Sequence, residues 1–150
     1  MIAAIRQFFD RLTNDAAVDM GEEEVRLAVA ALLYRVVAVD GVVSPAERAM
    51  LGELLKDRFG LDPQSTDALV EAAETADEEA IDLYRFTSLL KQRLEVEDRE
   101  RIIEMMWRLV YADGRMHEFE ENVVWRVAEL LSVPSRVRVQ LKQAVRNGAA

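Results

Sequence analysis

The chain contains no cysteine, one histidine and only three prolines among 150 residues. Without cysteine there is no disulfide, no thiol nucleophile and no thiolate metal site. That absence does not set the compartment, because many secreted proteins also lack disulfides. No apolar run approaches the roughly 20 residues that a membrane span requires. The opening MIAAIRQFFDRL lacks the uninterrupted apolar stretch of a signal peptide. These absences point to a cytoplasmic protein without a transmembrane segment. Positive charge is scarce too: 19 Lys and Arg against 28 Asp and Glu leave a net charge of -9. Such a surface argues against nucleic acid and against anionic lipid. There is also no Ser-His-Asp set, no phosphate loop and no aromatic-rich sugar cleft. A hydrolase working through paired carboxylates is the one catalytic class left to weigh, and the reading adopted is that the chain is not an enzyme.

What is present is a soluble globular composition, 51% hydrophobic and 31% charged, in a length that suits one domain over residues 1–150. Apolar residues recur at three- and four-residue steps. Ile2, Ile5, Phe8, Phe9 and Leu12 outline a first helix, and Val25, Val29, Leu32, Leu33 and Val36 trace one stripe of a second. Asp40-Gly41 ends that helix, glycine suiting the left-handed residue beyond a helix C-terminus. In SPAE, Ser44 caps, Pro45 takes the first helical position and Glu47 reaches back, which predicts a helix with Met50, Leu51, Leu54 and Leu55 inward. Asp62-Pro63 starts another, to about Thr75. DEEAIDLYRFTSLLKQRL predicts a fifth, with Ile81, Tyr84 or Arg85, and Leu89 inward. The next carries Ile102, Met106, Leu109 and Val110 inside, EFEENVVWRVAELL follows, and the last starts at Pro134. The expected fold is all-α, a compact bundle of about seven to eight helices.

The chain also repeats itself. Shifted by 73 residues, Tyr34 falls on Trp107, Arg35 on Arg108, Asp40-Gly41 on Asp113-Gly114 and Glu47 on Glu120. Two helical units, approximately 22–75 and 95–147, would pack as a pseudo-twofold pair, each covering the other's apolar stripe.

VDGVVSPAE and ADGRMHEFE are the corners of this repeat. A plain account makes the acids turn and capping residues. The interval from Gly to a Glu six residues later also matches the second half of an EF-hand calcium loop, but Val36, Ala38, Leu109 and Tyr111 stand where its first ligands belong, which rejects a working EF-hand. What survives is Asp40, Glu47, Asp113 and Glu120, an oxygen-only set that suits Ca²⁺, Mg²⁺ or Mn²⁺ better than Zn²⁺. His117 and Glu121 are additional candidate ligands, although a lone histidine at a helix start is more often an end residue. Arg35, Arg48, Arg108 and Arg115 are near enough in sequence to compete as ion-pair partners. The second corner keeps Asp, Gly and Glu without the Ser-Pro cap, which tilts the reading toward a site.

The doubled Asp-Gly and Glu pattern, in AVDGVVSPAERAML and YADGRMHEFEENVVWRVAELL, resembles the TerB-like tellurite-resistance family. The similarity covers most of residues 22–147. It implies an all-α fold of two related halves, with acidic residues at Asp40, Glu47, Asp113 and Glu120 that hold a divalent metal. It also implies a cytoplasmic accessory role beside membrane-associated stress or metal-response systems, with a protein partner there. No organic cofactor is expected, and monomer and homodimer are equally compatible with the chain. The alternative is an adaptor that docks a partner through an acidic surface without metal. Tyr34 and Trp107, and Met50, Met105 and Met106, are expected in the core. The N-terminal MIAAIRQFFDRL either folds onto the bundle or meets a membrane or partner helix.

Overall fold

The computed structural model describes residues 21–39, 41–79, 82–112 and 118–148. Among these there are seven helices and no strands: α1 (Glu22–Ala38), α2 (Pro45–Phe59), α3 (Pro63–Glu78), α4 (Leu83–Arg93), α5 (Val96–Val110), α6 (Glu118–Leu130) and α7 (Ser135–Arg146). The all-α expectation holds. The helix expected over residues 2–12 and Ile81 lie outside the described residues.

Helix α1 is the axle. Every residue from Leu27 to Val37 is buried except Arg35, a wider apolar surface than the single stripe expected from sequence. A helix apolar all round must be enclosed on all sides, and α1 packs against α2, α3, α4, α5 and α6. Small Ala28, Ala30 and Ala31 let neighbours close on it, while Leu32 and Leu33 are fully enclosed. Each such leucine contributes roughly 1.5–3 kcal/mol by leaving water.

The helix starts follow local chemistry. Ser44 Oγ accepts from Glu47 N–H at 3.1 Å, and Glu47 Oε1 accepts from Ser44 N–H at 3.1 Å, a complete capping box. Asp62 caps α3 through Ser65 N–H at 2.7 Å, and those backbone amides hold its carboxyl below the ordinary value. The helix continues to Glu78, past the expected end near Thr75. In α4 the phase differs from expectation. Asp82 accepts from Tyr84 N–H at 3.0 Å and sets the start. Phe86, Leu89 and Leu90 then turn inward, while Arg85 is exposed and Tyr84 is 62% exposed.

Gly52 sits in the middle of α2, where glycine costs helix stability. Among the described residues a Cβ built there would meet only Thr66 Cγ2, at an ordinary 3.7 Å. Gly52→Ala should therefore stabilise the protein by about 0.5–1 kcal/mol, read as a higher denaturant midpoint.

The order α1–α2–α3 recurs as α5–α6–α7, and α1 packs on α3 as α5 packs on α7. The packing is not symmetric, however: the backbones of α2 and α3 lie close together, whereas α6 and α7 stand further apart and meet through long side chains, Lys142 with Glu121 and Arg138 with Glu129. The recurrence is one of order and length, and a pseudo-twofold relation is not established by it.

Candidate functional site

Three contacts orient the corners. The Arg26 guanidinium lies 5.7 Å over the Phe59 ring, Arg58 reaches Asp98 at 2.7 Å, and Arg99 donates to Leu131 O at 2.9 Å. The starts of α1 and α5 and the ends of α2 and α6 thus gather at one end of the bundle. Helix α1 rises about 25 Å from there. Gly41–Ser44 and Glu118–Glu121, which stand at the opposite ends of these same helices, lie away from it.

At the first corner Gly41 takes φ +85°, the left-handed conformation, and its N–H donates to Ala38 O at 2.9 Å. The chain can then turn within a few residues and enter α2 at Pro45. Glu47 is only 3% exposed. Its Oε1 serves the capping box, while Oε2 is buried and has no hydrogen-bond partner among the described residues. At the second corner Glu120 is fully buried in the first turn of α6. Ordinary capping glutamates at exposed helix starts keep their carboxylate in water, whereas Glu120 is wholly withdrawn from it and Glu47 nearly so. Burial of both glutamates was not legible in the sequence, which marked their positions only.

Glu121 is differently engaged. It pairs with Lys142 at 2.6 Å, a hydrogen bond that raises the ammonium pKa. Lys142 in turn lies 5.3 Å over Trp107. Asp40, Asp113 and His117 lie outside the described residues. Among those that are described, no three acidic or histidine side chains gather around a common point.

The arginines expected to compete for the corner acids are used elsewhere. Arg35 pairs with Asp77 at 3.0 Å, Arg48 with Glu74 at 3.4 Å and Arg108 with Glu104 at 3.9 Å, while Arg115 is not among the described residues. Tyr34, buried opposite Arg48, donates to Glu74 at 3.0 Å. Burial first, and then that hydrogen bond, push its phenol from 10.0 up to about 12. The folded state therefore favours the neutral phenol. Its contribution to stability is complete below pH 10 and is lost as pH rises from there to about 12. Unfolding titrations should show this loss in the wild type and a smaller one in Tyr34→Phe.

The family model described as "Tellurite resistance protein TerB" matches residues 26–143, which includes both corners and α2 to α6 in full. The chain belongs to the TerB family. No curated protein matches it. A solved structure, a protein of unknown function from Porphyromonas gingivalis W83, superposes with a TM-score of 0.62 at 18% identity, covering 87% of this chain and 99% of that one. That likeness shows a shared fold. Within this TerB chain no described helix is long and apolar enough to cross a membrane.

Proposed function

We propose that this TerB protein is a non-catalytic cytoplasmic accessory protein whose two acidic corners hold a divalent cation, in the service of a tellurite, metal or envelope stress response. One observation carries the reading: Glu47 is nine-tenths buried and one of its carboxylate oxygens has no partner among the described residues. Leaving such a group unsatisfied costs about 1–3 kcal/mol or more, and a cation at the corner would remove that cost. The donor set fits, since Asp40, Glu47, Asp113 and Glu120 offer oxygen alone, as Ca²⁺, Mg²⁺ and Mn²⁺ prefer. Glu121, held by Lys142, is the weaker additional ligand. The ion would neutralise neighbouring carboxylates and join the halves of the fold, with no bond-making step asked of it. Calorimetric titration of chelator-treated protein with Ca²⁺, Mg²⁺, Mn²⁺ and Zn²⁺ tests this. A binding heat for the first three, weaker for Zn²⁺, is expected; silence for all four ends the reading.

A second reading, docking of a protein through an acidic surface without metal, is favoured by a separate feature on α2 and α3.

A further inference from the structure

Between α2 and α3 lies an open groove of about 630 Å³. Its floor includes Gly52 and the buried Thr66 and Val70, and its walls carry Glu53, Asp57, Asp67 and Glu71. All four carboxylates are exposed and none makes an ion pair among the described residues. Of the two cations on the rim, Arg48 is held by Glu74, which leaves Lys56. The glycine adds an independent observation. Nothing among the described residues requires the absence of a side chain at Gly52. Glycine there costs the helix stability and leaves the groove floor without a side chain, so that an incoming helix can lie close to the α2 backbone. Floor and walls together suit a positively charged helix lying in the groove.

The chain itself supplies one. Residues 130–150 contain four basic side chains and no Asp or Glu, against a net charge of -9 for the whole. Within that run, α7 turns Arg136, Val139, Gln140, Gln143 and Arg146 to solvent, positions that fall on one side of a helix. Val139 is 42% exposed, and no ion pair of Arg136 or Arg146 exists among the described residues. Helix α4 is also free of acids, but its start adjoins Glu78, Glu79 and Asp82, which an acidic groove would repel.

We propose that the α2–α3 groove receives the outward stripe of α7 from a second copy of this chain. Groove and stripe are different surfaces, so the contact is head-to-tail and can continue from copy to copy. It is independent of the cation reading, and the experiment separates the two by working in chelator.

Sedimentation equilibrium at low salt should show a mass that grows with protein concentration, and at 0.5 M salt, where the Debye length is about half its physiological value, a monomer. The paired change Arg136→Glu and Arg146→Glu should weaken association tenfold or more, as should Glu53→Arg with Asp67→Arg. Mixing the two variants should restore it, because intact groove then meets intact stripe and reversed groove meets reversed stripe. Gly52→Leu, which fills the floor without changing charge, should also weaken it. A single monomer mass at every concentration in low salt would overturn the proposal. So would association that ignores both reversals, that is abolished by Arg85→Glu with Lys91→Glu on α4 instead, or that disappears in chelator. Capture of a free α7 peptide by a chain that stays monomeric would overturn the second copy as occupant.

Discussion

Trp107→Ala should lower stability by about 3–5 kcal/mol, the usual range for deleting a fully enclosed tryptophan. Trp107 has no exposed surface. It stacks with Tyr111 at a centroid distance of 6.2 Å, meets the edge of Trp125 at 6.4 Å and has Lys142 5.3 Å above it. Alanine would therefore open a cavity where α5 meets α6 and α7, and would unseat the Lys142–Glu121 pair as well. For a domain of this size each kcal/mol moves the melting temperature by about 2–4 °C, so a fall of about 10 °C is expected by calorimetry. Trp107→Phe adds a second measurement. The indole N–H is buried without an acceptor among the described residues, and phenylalanine removes that cost of about 1–3 kcal/mol along with part of the volume. The phenylalanine variant should lose less than half of what alanine loses. Equal losses would mean that shape alone governs the position.

The other large effect concerns Glu47. Metal at a hundred times its dissociation constant stabilises a folded protein by about 2.7 kcal/mol, which here corresponds to a melting temperature about 5–10 °C higher. Glu47→Gln should abolish most of that rise. Glutamine keeps an acceptor for Ser44 N–H, so the capping box stays whole while the charge is gone. Without metal, Glu47→Gln should melt close to the wild type, and Glu47→Ala should melt lower because it loses the cap, worth about 1 kcal/mol. If glutamine responds to Ca²⁺ or Mn²⁺ as fully as glutamate does, Glu47 caps α2 and nothing more.

Local chemistry made the helix starts readable from sequence. Ser44 with Glu47, and Asp62 before Pro63, satisfy the first amides of their helices whatever surrounds them. The same logic misplaced α4, because Asp77, Glu78, Glu79 and Asp82 all offered starts and only the backbone contact to Tyr84 chose Asp82. Tyr84 and Arg85, one of which was expected inside, both face water as a result. The corners were legible as positions and not as environments. Doubled Asp-Gly and Glu can be seen in a string of letters; that Glu47 and Glu120 are enclosed depends on how α1, α2, α5 and α6 converge. Which arginine pairs with which acid was likewise invisible, since Arg35 finds Asp77 and Arg48 finds Glu74 on a helix dozens of residues away. The α2–α3 groove belongs to neither helix alone, and a lone glycine in LGELL was its only trace.

Helix α1 lies in the first half of the chain by sequence and between the two halves by packing. Released from the rest, residues 22–78 would keep α2 and α3 on one flank of that helix and leave bare the flank that α4, α5 and α6 cover. Such a fragment would be an aggregation seed and not a miniature of the whole.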